Sequence, residues 1–146
     1  MDTAQTRAPW HLWVVGAIAV LFNSIGVFDF VMSRVQGADY MASAGMTAAQ
    51  IAHYLAMPAW MIVVWAVGVF GAFLASLMLL LRSARAFLVF VLSLVAFFVS
   101  LVYTYVLTDG GAIMGRSMGI TSAVIAALLV VFSWYAWNMS TRRVLR

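Results

Sequence analysis

Apolar residues run almost unbroken through four stretches of the chain, Trp10 to Met32, Met57 to Leu81, Ala86 to Leu107 and Met118 to Asn138. Each is close to the roughly 20 residues that an α-helix needs to cross about 30 Å of hydrocarbon. The pattern predicts an all-α membrane protein, a four-helix transmembrane bundle forming one domain over 1–146. The first stretch is too long for the apolar core of a secretory signal, and the small residues Ala42-Ser43-Ala44 lie well beyond its end.

Polar residues set the connections. Only Arg82, Ser83, Ala84 and Arg85 separate the second and third stretches, which predicts a tight antiparallel hairpin. Thr108 to Ser117, with Asp109-Gly110-Gly111 and Gly115, is a turn-rich link. The first connection, Ser33 to Ala56, is long enough for a helix of its own. Thr47 followed by Gln50 has the spacing of a capping box, and Ile51, Tyr54 and Leu55 then fall on one face. A short amphipathic helix lying on the outer membrane surface is expected there.

Composition fixes the solvent. Hydrophobic residues make up 66% of the chain and charged ones 8%, with a mean hydropathy of +1.08. A water-soluble domain needs far more polar surface, so the expected partner of this surface is the lipid bilayer. The charged set is eight Arg and four Asp, without Lys, Glu or Cys. Thiolate chemistry, disulfides and the usual zinc sites are thereby excluded. No basic run is long enough to follow a phosphate backbone, so no nucleic-acid partner is expected.

Arginine placement predicts orientation, because cytoplasmic loops retain positive charge. Arg7, Arg82, Arg85, Arg142, Arg143 and Arg146 fall on one side, whereas the other has only Arg34 and Arg116 and collects Asp29, Asp39 and Asp109. Six against two places both termini in the cytoplasm. Trp10, Trp13, Trp134 and Trp137 suit an inner aromatic belt, and Trp60, Tyr103 and Tyr105 an outer one.

Small residues mark where helices approach, since lipid offers apolar faces little reason to meet one another. Gly68, Gly71, Ala72 and Ala75 form a packing stripe in the second span, and Ser93, Ala96, Ser100 and Thr104 form one in the third. The first span carries more polarity than packing requires. Asn23 is expected to face other helices, with the hydroxyl stripe of the third span as its source of hydrogen bonds. Asp29 is either an intramembrane coupling site or an interfacial carboxylate paired with Arg34.

Asn23, Asp29, Ser100 and Tyr103 are thus the candidates for a substrate or ion path. Weaker candidates for a metal are His53, Met57 and Met61, spaced by four residues; Met114 and Met118 repeat that spacing. Soft thioethers select Cu(I), although methionine also fills irregular apolar gaps. No H-E-x-x-H, G-x-x-x-x-G-K or G-x-S-x-G motif occurs, so neither an enzyme nor a bound cofactor is expected.

The string Phe22-Asn23-Ser24-Ile25-Gly26-Val27-Phe28-Asp29-Phe30, the Pro58-Ala59-Trp60 start of the second span, its Leu79-Leu80-Leu81-Arg82 exit and the segment Tyr103 to Gly110 carry a resemblance. They resemble a group of small, largely uncharacterised bacterial four-helix inner-membrane proteins, some described as sugar transporters. The likeness spans nearly the whole chain. It implies a bacterial plasma-membrane location and adds weight to solute transport. Three readings follow: an oligomeric small-solute transporter, with sugar as one candidate solute; an accessory subunit of a larger membrane complex; and a Cu(I)-handling protein using outer methionines.

Overall fold

The computed structural model describes residues 6–146, and its chain is helical throughout. Four helices are long and apolar enough to cross a membrane. They are α1 (Trp10–Val35), α4 (Ala59–Leu80), α5 (Ala86–Val102, prolonged by a π-helical turn over Tyr103–Leu107) and α6 (Gly110–Thr141). Two short helices, α2 (Ala38–Ser43) and α3 (Ala48–Leu55), fill the long connection, where the sequence predicts only one. The protein is a multi-pass membrane protein, and its exposed belt of leucine, valine, isoleucine and phenylalanine suits a hydrocarbon solvent.

The capping box of α3 is formed as its spacing predicts. Gln50 N–H donates to Thr47 Oγ1 at 3.3 Å, and Thr47 N–H donates to Gln50 Oε1 at 3.0 Å. Gln50 Nε2 also reaches the carbonyls of Ile113 and Met114, at 3.4 and 3.3 Å. Gly115 breaks α6 immediately afterwards, with φ 77° and ψ −177°. That extended left-handed conformation is essentially restricted to glycine. The predicted fourth span, 118–138, is therefore the part of α6 beyond the break, and the residues from Gly110 that the sequence assigns to a link are helical.

In the plane of the membrane, α1, α4, α5 and α6 form an arc in which α4 touches α1 and α5, and α5 touches α6. The small-residue stripe sits at the α4–α5 seam: a Cβ on Gly71 would lie 3.5 Å from Ser93 Cβ, and one on Gly68 would lie 3.8 Å from Ala96 Cβ. Ala72 and Ala75 are buried beside them, and Ser93 Oγ donates to the Gly68 carbonyl across the seam. Backbones this close collect dispersion contacts that bulkier residues would prevent.

One end of the bundle is solid. Leu12, Leu79, Phe90, Phe132, Val144 and Leu145 belong to a single buried cluster there. Both α4 and α6 finish in Schellman turns whose left-handed residue is an arginine, Arg82 at φ 60° and Arg143 at φ 55°. Arg82 Nε donates to the Val144 carbonyl at 3.0 Å, and Arg82 and Ala84 pair with Arg146 through two 2.6 Å backbone bonds. This arginine-rich end is closed by residues 144–146. The opposite end, carrying α2 and α3, is built differently.

Candidate functional site

From the level of Phe22 and Phe132, whose rings meet at 6.4 Å, α1 and α6 diverge towards the α2–α3 end. Between them, α4 and α5 form the back wall of a cavity of about 630 Å³. Its wall includes Asn23 and Asp29 of α1, His53 and Tyr54 of α3, Trp65 of α4, Ser100 of α5 and Ser122 of α6. Ile25 and Phe28 on one flank are 67% and 58% exposed, and Ile120 and Val124 on the other are 58% and 51% exposed. The flanks of the chamber on α1 and α6 are thus exposed apolar side chains, carried by helices long and apolar enough to cross a membrane. A smaller cavity of about 200 Å³ shares Asp29, Tyr40, Tyr54, Trp65 and Met118 with it.

Asn23 is buried, and its Nδ2 donates to Ser76 Oγ of α4 at 2.9 Å. The amide partner is thus on the second span, not in the hydroxyl stripe of the third, where the sequence pointed. Ser76 Oγ in turn donates to the Ala72 carbonyl at 2.7 Å. Ser100 bonds within its helix, to the Ala96 carbonyl at 3.1 Å. Asn23 and Ser100 thus line the chamber with one amide hydrogen and the hydroxyl hydrogen engaged, while the second amide hydrogen and Oδ1 of Asn23 stay available.

Asp29 lies at the mouth, and its partner is not Arg34. Tyr40 Oη donates to Asp29 Oδ1 at 3.0 Å, while Oδ2 accepts nothing from the described residues. Partial burial, and then the bonded Asp29 carboxylate, hold the Tyr40 phenol above its ordinary range. Burial likewise raises Tyr54, helped by the charge of Asp29 and by Tyr105. Tyr54 packs on Trp65 at 5.7 Å, and Tyr40 meets Phe28 edge-on at 6.3 Å. An aromatic lining therefore surrounds a lone carboxylate: among the described residues no arginine lines either cavity.

The chain matches no protein family, no curated protein and no solved structure.

Tyr103, expected in the path, is absent from the wall. The π-helical turn directs it behind the chamber, where it is buried against Trp60 at 5.7 Å and His53 at 6.1 Å. Tyr105, two residues on, faces the cavity instead. Nothing in the local sequence marks that extra residue in the turn. Tyr40 was also missed, because only the reversal at Gln36 and Gly37 brings α2 back to Asp29.

The spacing of His53, Met57 and Met61 does not put them on one helix face. His53 is in α3, Met57 is in the link, and Met61 is in α4, since the helix restarts after Pro58. Met114 and Met118 are likewise divided by the Gly115 break. All five nevertheless line the same chamber. His53 Nε2 is buried there without a hydrogen-bond partner.

Proposed function

We propose that this protein is a non-enzymatic carrier of small solutes in a bacterial plasma membrane, loading an apolar or amphiphilic molecule into the chamber between α1 and α6. The observation that carries this reading is a drug-sized cavity, largely apolar, hollowed into one half of a bundle whose other half is solid. A closed arginine-rich end beside an open chamber is the arrangement of a carrier at rest in one of its two access states. Free sugar fits less well. Sugar sites want several hydrogen-bonding amides, and here Asn23 is the single one in the wall among the described residues, with one of its two N–H groups already donated to Ser76.

In this reading both termini are cytoplasmic, because six arginines gather at the closed end. The likeness to small bacterial inner-membrane proteins supports the location. The chamber occupies only one half of the bundle, so in this reading the carrier acts as a homo-oligomer or within a larger membrane assembly.

The test uses the neutral fluorophore N-phenyl-1-naphthylamine with protein in nanodiscs. Saturable, protein-dependent fluorescence is expected, and Ser122→Trp or Ala72→Trp, each filling the chamber, should abolish it. Equal signals from empty nanodiscs and protein-loaded ones would sink the proposal.

A second reading rests on His53. Its orphaned Nε2 and the thioethers of Met57, Met61, Met114 and Met118 form a soft donor set around one space. Anaerobic Cu(I) titration against a chromogenic chelator should then show one tight equivalent, lost when Met57 and Met61 become Leu. Unchanged copper sensitivity in cells carrying that double variant would count against it.

A further inference from the structure

A deeper specificity can be drawn from the charges in the wall, and it rests on the carrier reading above. Asp29 is exposed at the lateral mouth, and among the described residues it is the one carboxylate lining either cavity. Among the described residues no arginine lines either cavity. Tyr40 satisfies one of its oxygens and leaves the other free. Around it stand Phe28, Tyr40, Tyr54, Trp65 and Tyr105, all lining the same chamber. Beyond these, towards Leu129 and Ala72, the wall carries no charge and is mostly apolar, with Asn23, Ser100 and Ser122 as neutral polar groups.

This gradient, from a carboxylate with aromatic faces to an uncharged, mostly apolar interior, has a matching ligand. Aromatic faces attract weakly hydrated cations, and the attraction grows when water is excluded. A carboxylate near lipid gains most from a cation that is cheap to dehydrate. Anions meet repulsion at Asp29, and neutral solutes gain nothing from it. We propose that the chamber selects lipophilic cations: an ammonium or phosphonium centre held at Asp29 among Tyr40, Tyr54, Trp65 and Tyr105, with its apolar body directed inward past Ala72.

Two sources supply that chemistry, a free lipophilic cation and the amine headgroup of a membrane lipid. The experiment compares three probes of similar shape on protein in nanodiscs of neutral lipid: tetraphenylphosphonium, neutral triphenylphosphine oxide and tetraphenylborate. Each is read by displacement of N-phenyl-1-naphthylamine. Tetraphenylphosphonium should displace the fluorophore at the lowest concentration and tetraphenylborate at the highest. Asp29→Asn should weaken the cation about tenfold while leaving the neutral probe unchanged, and Asp29→Glu should keep the order of the three.

Equal displacement by all three probes, or the same cation affinity in Asp29→Asn, would overturn the inference while leaving the carrier reading intact. Failure of the fluorophore itself to bind would remove both. Adding phosphatidylethanolamine separates the sources: competition with tetraphenylphosphonium identifies a lipid headgroup, and its absence identifies a free cation.

Discussion

Gly110 is a residue whose neighbours leave it little room to change. A Cβ there would lie 2.8 Å from the Thr104 carbonyl and 2.9 Å from His53 Cε1. The first obstacle is backbone, which cannot step aside as a side chain does. Gly110→Ala should lower stability by about 1–3 kcal/mol, measured as a shift in thermal unfolding in detergent. Asn23 offers a gentler case. Hydrogen bonds between membrane helices are worth about 0.6 kcal/mol on average, so Asn23→Ala should cost about 1 kcal/mol once its lost packing is included. The Tyr40 bond to Asp29 responds to pH. Because the folded phenol is raised, the protonated donor stabilises the fold throughout the range below about pH 10 and is lost only as pH climbs through the raised value. Titration of Tyr40 absorbance should therefore lag behind a free phenol, and Asp29→Asn should reduce the lag. Asn23 and Asp29 stand out in the sequence because polar groups in an apolar run are conspicuous. Their partners Ser76 and Tyr40 do not, since serine in a helix and tyrosine in a loop are unremarkable until the fold brings them near.

Among the elements, the four spans were legible because a membrane requires long uninterrupted apolar runs, and α3 was legible because Thr47 and Gln50 sit at capping distance. The hidden features are all departures from regular helix. The π-helical turn adds one residue to a strand of apolar and aromatic side chains that reads identically with or without it. Thr108 makes the departure affordable: its Oγ1 donates towards the Tyr103 and Thr104 carbonyls, at 3.0 and 3.2 Å, and accepts from Gly110 N–H at 3.3 Å. The break at Gly115 has a similar keeper in Gln50, whose side-chain amide serves the two carbonyls before it. Gly115→Ala should cost about 1–3 kcal/mol through backbone strain. Gln50→Leu should leave that break unsupported and raise hydrogen exchange across 110–115 and α3 together. Exchange rising in α3 alone would mean that the two elements are not coupled.

For the molecule as a whole, small-residue stripes mark where helices approach, and Gly68 and Gly71 face Ala96 and Ser93 at the α4–α5 seam. They say nothing about where helices part, so the divergence of α1 from α6, and with it the chamber, was beyond the reach of any pattern along the chain. Solid and hollow halves should differ in local stability. Backbone amides around Leu79, Phe90 and Phe132 should exchange more slowly than those of α1 and α6 beyond Phe22 and Leu129. Orientation is testable because the chain has no cysteine. Ser43→Cys should react with an impermeant maleimide in intact cells, and Ser83→Cys only after permeabilisation; the reverse would invert the proposed topology.

The exposed apolar flanks of the chamber also bear on which concentration governs occupancy. A molecule that enters between α1 and α6, as the carrier proposal has it, arrives from hydrocarbon, so occupancy should follow its mole fraction in the bilayer rather than its molarity in water. Dissociation constants expressed per litre of buffer should then drift as the lipid-to-protein ratio changes, in proportion to the partition coefficient of the molecule. Expressed per mole of lipid, they should converge on one value.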